Sequence, residues 1–328
     1  MPALIFPDFE AYSNSVKGID GEMRVTGRGD DAWLLDCLEL GEATLLHGID
    51  GAPVHYHGAP HDRHFGVYLA LPGSQTTLDG QLLGEDSFTW LAPRVELHGF
   101  TRVPARFLGI DLGERLLMEQ AARVDGLDVP RLYRTGTITT TAAMVGHVTA
   151  MVQRAFDVRE DRPDAFAEVG PRQAFAAQLA AAVLQCHRHA TGGSGPARRG
   201  RPPLPRREIV SRGVQHIQRS LRGEAAFQDI AFAVGVSQRS LNRAFDDLYG
   251  MAPHHFYLIE RLHAIRGELR SARTGDTVTS ICSRFGVWDL GRMAAQYARM
   301  FHVQPAQELA RALGQKCGGH PAGPGRRR

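Results

Sequence analysis

Four polar side chains with hydrogen-bonding capacity lie within six residues of each other: Gln238, Arg239, Asn242 and Arg243. Arginine can form two hydrogen bonds with the edge of guanine, and asparagine can do the same with adenine, when a helix lies in the major groove of DNA. Leu241 and Phe245 are four residues apart and define an apolar helix face, so the polar set lies on the opposite face. The spacing predicts that the two arginines and the asparagine contact bases, with Gln238 nearer a phosphate.

A helix-turn-helix pattern positions these side chains, and the pattern occurs twice. In each copy a short helix ends at a glycine, Gly235 or Gly286, and the next helix begins after a residue suited to capping, Ser237 or Asp289. The second copy has one extra residue in its turn. Its candidate DNA contacts are Asp289, Arg292 and Gln296. Two such units in one chain predict contact with two segments of the major groove.

The charge distribution supports binding to DNA. Residues 197–328 contain 22 Lys+Arg and 10 Asp+Glu, a net charge of +12, whereas residues 1–196 have a net charge of −9. Neutralising phosphates requires a basic surface, and an acidic half does not provide one. The overall charge of +3 hides this division. Double-stranded DNA is therefore the predicted partner of the second half of the chain.

Length and composition favour a two-domain protein of the cytoplasm. The 328 residues contain no apolar run near the roughly 20 residues of a membrane span. The first residues lack the features of a signal peptide. The four cysteines show no CxxC spacing, so we expect free thiols and no bound metal or cofactor. We also find no nucleophile–base pair, P-loop or dinucleotide motif and predict no enzymatic activity.

The chain order predicts an α+β protein. Residues 20–112 have short apolar runs separated by Gly, Pro and Asp, which is typical of an antiparallel β-barrel of the cupin or jelly-roll kind. A helix pair is expected at about 141–189, either packing on the barrel or offering a dimerisation surface. We expect a sensor domain over 1–190, a linker over 191–206, a helical DNA-binding domain over 207–315 and a disordered tail over 316–328.

The predicted barrel has two sets of candidate ligand-binding residues. Aromatic strand residues that could line an effector pocket are Tyr56, Tyr68, Phe88 and Trp90. Histidines with the alternating spacing of a metal site are His55, His57 and His98. No acidic residue follows His57 at the interval that metal-binding cupins use, so structural histidines are the favoured interpretation. A metal-dependent cupin-type enzyme fused to a DNA-binding domain remains the alternative.

The motifs in 237–253, 261–269 and 301–305 resemble the AraC/XylS family of bacterial transcription factors. Within that family, the stretch 286–291 and Tyr297 are similar to the group of ethanolamine-operon activators. The resemblance implies two helix-turn-helix units joined by a long helix over 253–271, with an effector bound inside the barrel. It also implies sequence-specific regulation, more often activation than repression, and hence contact with RNA polymerase. It leaves open whether the protein forms a homodimer.

The second copy departs from the family pattern. Ala295 stands where Arg243 stands in the first copy, and His302 replaces a glycine before the final turn. Because alanine cannot hydrogen-bond to a base, the second copy is expected to contribute less direct readout. Trp288 is predicted to pack against the long helix, with DNA contact as the alternative. Non-specific DNA binding is a further alternative for the whole chain, and the polar set of the first copy argues against it.

Overall fold

The computed structural model describes residues 3–16, 19–30, 32–190 and 205–317. By its internal contacts the chain divides into two compact units: an N-terminal unit of residues 1–206 with 246–250, and a C-terminal unit of residues 207–245 and 251–328. The predicted linker lies almost entirely outside the described residues, as does most of the predicted tail. The proposed domain boundaries therefore remain predictions.

The strands of the N-terminal unit are short and follow one another closely. In chain order they are β1 (Leu4–Phe6), β2 (Ile19–Val25), β3 (Trp33–Glu39), β4 (Ala43–Asp50), β5 (Val54–Pro60), β6 (His64–Ala70), β7 (Thr76–Leu78), β8 (Gln81–Leu82), β9 (Ser87–Leu91), β10 (Leu97–Thr101), β11 (Ala105–Gly113) and β12 (Gly136–Thr139). Its helices are α1 (Phe9–Ser13), α2 (Glu114–Ala121), α3 (Val129–Leu132), α4 (Ala142–Asp161) and α5 (Val169–Arg188).

Among the described residues these strands form two antiparallel sheets. A seven-stranded sheet has the order β1-β3-β4-β11-β6-β9-β12, and a five-stranded sheet has the order β2-β5-β10-β7-β8. Side chains from both sheets, including Leu78, Leu91 and Leu97, pack together between them. The α+β class is confirmed, but the strands form two stacked sheets and do not close into one barrel.

Strand β9 shows why the layered arrangement is favoured over a closed barrel. Phe88 and Trp90 belong to the cluster that includes α4 and α5, whereas Leu91 packs toward the five-stranded sheet. All five residues of the strand are buried. A strand with two buried faces requires a layer on each side, and the helices supply the second one.

The helix pair buries its apolar residues against the seven-stranded sheet. Val148 and Val152 of α4 and Leu179 and Val183 of α5 are all in the main core cluster with residues of that sheet. Thr141 caps α4 by accepting a hydrogen bond from the backbone of Met144. Core packing thus accounts for the apolar spacing of the pair, and dimerisation stays a prediction. None of the helices in the described ranges is long and apolar enough to span a membrane.

Apart from Arg206 and residues 246–250, which group with the N-terminal unit, the C-terminal unit contains the remaining helices. They are α6 (Arg206–Leu221), a 3-10 turn (Phe227–Asp229), α7 (Ile230–Val234), α8 (Gln238–Tyr249), α9 (Pro253–Ser271), α10 (Val278–Arg284), α11 (Leu290–Phe301) and α12 (Pro305–Cys317). The long helix implied by the family resemblance is α9, with proline at its first position, where no hydrogen-bond donor is needed. Helix α7 ends at Gly235 in the left-handed conformation, φ 78°.

Helix α11 ends on a non-glycine residue in the same left-handed region, His302 with φ 55°. A side chain at such a position is disfavoured by about 1–2 kcal/mol. Replacing His302 with glycine is therefore expected to raise the free energy of unfolding by about 1 kcal/mol, measured by urea denaturation. An asparagine variant should lie between the two. A glycine variant that is less stable than the wild-type chain would contradict this account of the helix end.

Candidate nucleic-acid interface

The first recognition helix, α8, presents the predicted polar set to solvent. The residues Gln238, Arg239, Asn242 and Arg243 are all exposed. Gln238 Nε2 donates to Asn242 Oδ1 at 2.9 Å, so these two amides are held together one turn apart. Within the part of the chain that the structure describes, no carboxylate pairs with Arg239 or Arg243. Both guanidinium groups therefore keep their donors available for an acceptor from outside.

The opposite side of α8 fixes the helix in the unit. Leu241 and Phe245 are fully buried, as the apolar spacing predicts. The Phe245 ring packs edge-on against Phe256 of α9, with ring centroids 5.5 Å apart. Helix α6 passes close by at Gly213, where a Cβ atom would come within 2.7 Å of the Phe245 ring. The glycine thus permits the contact that holds the first recognition helix.

The second recognition helix, α11, begins at its predicted cap. Asp289 Oδ1 accepts a hydrogen bond from the backbone of Arg292 at 3.0 Å. The Asp289 carboxylate therefore stabilises the first turn of α11. Asp289, which is predicted to contact DNA, thus has a structural role as a helix cap. Arg292 is exposed, whereas Gln296 is half-buried. Arg292 is the candidate of this helix best placed for an external phosphate or base.

A buried charged network, which the sequence patterns do not reveal, fixes α11 against its neighbours. The Glu308 carboxylate of α12 accepts from Arg266 Nε of α9 at 3.1 Å and from the Tyr297 hydroxyl of α11. Arg266 also lies over the Phe301 ring, 4.4 Å from its centroid. Arg270 Nε lies 3.5 Å from the same carboxylate. The network joins three helices around one carboxylate, at the back of the second recognition helix.

In the N-terminal unit, the four predicted effector residues lie in two separate places. Tyr56 of β5 and Tyr68 of β6 face each other between the sheets, with ring centroids 6.4 Å apart. Phe88 and Trp90 lie on the helix side of the seven-stranded sheet. The Trp90 indole donates to the backbone oxygen of Leu132 at 2.7 Å, so its polar atom is already bonded within the core. Of the four predicted effector residues, Tyr56 and Tyr68 are therefore the two that lie between the sheets.

A buried carboxyl group lies in the same inter-sheet layer. Asp50 is almost fully buried and accepts a hydrogen bond from the Tyr12 hydroxyl at 2.7 Å. Burial raises the pKa of Asp50 to about 7, and the bond from Tyr12 offsets only part of that increase. Burial also raises the pKa of Tyr68 and of Tyr56 above the ordinary range. The two tyrosine hydroxyls of the layer thus stay protonated at neutral pH, whereas Asp50 keeps its proton only below about pH 7.

The predicted histidines lie together only in part. His57 and His98 are directly opposite each other on β5 and β10, and their rings stack with centroids 5.9 Å apart. His55 is two residues along β5, on the same face as His57. Among the residues that the structure describes, no group of three or more His, Cys, Asp or Glu side chains is arranged to hold a metal ion.

A cavity of about 600 Å³ opens at the edge of the N-terminal unit, near the end of α4. Its walls include Leu38, Phe166 and Arg159. Arg159 Nη1 donates to Asp36 Oδ1 at 2.9 Å and to the backbone oxygen of Cys37 at 3.1 Å, so its charge is already neutralised. Glu39 and Glu160 leave the lining acidic. The sequence patterns did not predict this cavity, because it joins residues more than a hundred positions apart.

Two solved structures are similar to most of the chain at low identity. One is ToxT from Vibrio cholerae O395, which is 8% identical with a TM-score of 0.28; the match covers 91% of this chain and 100% of ToxT. The other is unsaturated fatty acid bound wild-type ToxT from Vibrio cholerae strain SCE256, which is 10% identical with a TM-score of 0.30. That match covers 83% of this chain and 96% of ToxT.

Sequence comparison identifies the C-terminal helices. Residues 230–311, which include both helix-turn-helix copies, match the family described as a helix-turn-helix domain. A segment of 110 residues is 32% identical to the "Probable thc operon regulatory protein" of Rhodococcus erythropolis, covering 33% of this chain. The chain spans about a third of that relative's length. Together with the motifs in 237–305, these matches confirm the family resemblance: residues 230–311 of this chain form a helix-turn-helix domain of the AraC type.

Proposed function

We propose that the chain is a sequence-specific DNA-binding regulator of transcription that responds to a small molecule. The observation that carries this proposal is the match of both helix-turn-helix copies, with two exposed arginines on α8 that pair with no carboxylate of the described residues. The net charge of +12 over residues 197–328 favours approach to the phosphate backbone. The family resemblance favours activation over repression, and activation implies contact with RNA polymerase.

Specific binding is favoured over non-specific binding by the kind of side chains that α8 exposes. Phosphate neutralisation alone requires only positive charge. Helix α8 adds an amide pair, Gln238 and Asn242, that offers donors and acceptors in a fixed arrangement. Such groups discriminate between base edges in the major groove.

The effector is proposed to bind the N-terminal unit in the layer around Tyr56 and Tyr68. The tyrosine hydroxyls, whose pKa values are raised, would donate hydrogen bonds to it, and the Asp50 carboxyl would do so below its pKa of about 7. The acidic cavity beside Arg159 is the alternative location for the effector. An effector can shift the DNA-binding population only by binding one conformation more tightly than the other. If the Tyr68→Phe variant still binds the effector and the Arg159→Gln variant does not, the cavity beside Arg159 is favoured over the tyrosine layer.

The Arg243→Ala substitution tests base contact by α8 directly. We expect the affinity for a cognate duplex to fall by about 1–3 kcal/mol, with weaker preference at one position of the site, because a bidentate contact is lost. Fluorescence anisotropy with cognate and scrambled duplexes measures both effects. The Arg212→Ala variant is the matched control, because this arginine is paired with Glu208 on α6. Equal loss on cognate and scrambled DNA would show that Arg243 contributes charge alone.

A further inference from the structure

The two recognition helices differ at each position predicted to contact bases. Counting from the capping residues Ser237 and Asp289, the polar set of α8 corresponds to four apolar residues of α11: Leu290, Gly291, Ala294 and Ala295. None of these four side chains can donate or accept a hydrogen bond. At these four positions the second helix therefore lacks the groups that distinguish guanine, adenine and cytosine through polar contacts.

The structure places these residues toward the outside of the unit. Gly291 and Ala295 are exposed, and Leu290 and Ala294 are half-buried. Met293, Tyr297 and Phe301 form the buried side of the same helix. The Glu308 network holds that side against α9 and α12. An apolar surface is thus fixed on the side of α11 that corresponds to the base-contacting side of α8.

Trp288 enlarges this apolar surface. It is the extra residue in the turn of the second copy, and its side chain is 84% exposed. The prediction that Trp288 packs against the long helix is therefore wrong. The insertion places an unsupported ring one residue before the helix cap, so the ring points away from the core. A single exposed apolar side chain needs no explanation, but contiguous apolar patches mark contact surfaces, and Trp288 lies two residues from Leu290 in the chain.

Two arginines in one row along α11 supply contacts that do not depend on base identity. Arg292 and Arg299 are exposed, and in the described ranges neither is paired with a carboxylate. Arginine at such positions binds phosphate oxygens and fixes the position of the helix along the duplex. The apolar side chains beside this row of phosphate contacts would then face the edges of the bases.

We propose that the second helix-turn-helix unit recognises the 5-methyl groups of thymines through Leu290, Ala294, Ala295 and the ring of Trp288. This inference rests on the proposed function and specifies the DNA sequence class that α11 selects. Thymine is the one standard base that presents a methyl group in the major groove, and apolar side chains are its matching contact. Gly291, with no side chain, allows the helix to approach the base edges closely. One half of the site is thus selected by hydrogen bonds and the other by methyl contact.

Replacing thymine with deoxyuridine tests the inference, because only the methyl group is removed. A cognate duplex is first selected with the full chain from random DNA. The half-site whose base preference is unchanged in Arg243→Ala is assigned to α11. Deoxyuridine in that half-site is expected to weaken binding about fourfold for each contacted methyl, the value for one buried carbon group. Deoxyuridine in the other half-site should leave affinity within about twofold.

Two variants connect the loss to particular side chains. Trp288→Ala and Leu290→Ala should each weaken binding to the thymine duplex and reduce the difference between thymine and deoxyuridine, as double-mutant cycles require for contacting groups. Trp288 is exposed, so its variant should unfold like the wild-type chain and separates binding from folding. Equal affinity for thymine and deoxyuridine in the α11 half-site would overturn the inference alone. Failure to select any common sequence would contradict the proposed function and the inference with it.

Discussion

The Glu308→Ala variant is expected to lose about 3–5 kcal/mol of unfolding free energy in the C-terminal unit. The carboxylate is buried and satisfies Arg266 of α9 and Tyr297 of α11 at once. Removing it leaves the buried Arg266 charge without its partner, which costs far more than the loss of an exposed ion pair. Urea denaturation of the full chain, followed by far-ultraviolet circular dichroism, measures the change.

A second glutamate of the same unit provides the matched control. Glu268 of α9 pairs with Arg284 of α10 at 2.9 Å, but both side chains are about half exposed. Glu268→Ala should therefore cost less than about 1 kcal/mol. Tyr297→Phe, which removes only the donor to Glu308, should cost about 1–2 kcal/mol. If Glu308→Ala were no less stable than Glu268→Ala, the buried network would not hold α11 in place.

Asp50 is expected to make the N-terminal unit less stable as pH rises from about 4 to 7. The pKa of the folded state is about 7 and the ordinary value is 3.8. Over this interval the unfolded chain releases the proton while the folded chain retains it, so the folded state binds more protons and stability falls with increasing pH. At 1.36 kcal/mol for each unit of pKa, the full effect approaches about 4 kcal/mol.

The Asp50→Asn variant isolates this effect. The asparagine side-chain oxygen can still accept from Tyr12, but it cannot ionise. Thermal unfolding at pH 5 and pH 8 should show the variant gaining on the wild-type chain as pH rises. Asp164→Asn, at an exposed position, should follow the wild-type profile. Parallel profiles for Asp50→Asn and the wild-type chain would show that this carboxyl is ionised in the folded state.

Local spacing was sufficient to predict the helices of the C-terminal unit. Apolar residues four apart identified the buried sides of α8 and α11, and Leu241, Phe245, Met293 and Tyr297 are indeed buried. The Ser237 and Asp289 caps form the predicted bonds, because capping depends on residues three apart in the chain. The family resemblance rested on the same local motifs.

Features that depend on distant residues were not predictable in this way. Whether a strand faces solvent or a second layer depends on elements far along the chain, so Phe88 and Trp90 were grouped with Tyr56 and Tyr68 on sequence alone. The Arg266–Glu308 pair joins helices 42 residues apart. Large aromatic residues usually pack in the core, but Trp288 is itself the extra residue of the second turn and is exposed.

The measurement that tests the central claim most directly is sequencing of genomic fragments retained by the purified full chain at about physiological salt. At this ionic strength non-specific binding is weak. We expect a small number of sharp peaks that share a two-part motif, with halves about one helical turn apart, because two recognition helices lie in one chain. Diffuse recovery that disappears as salt is raised, with and without added effector candidates, would contradict a sequence-specific regulator.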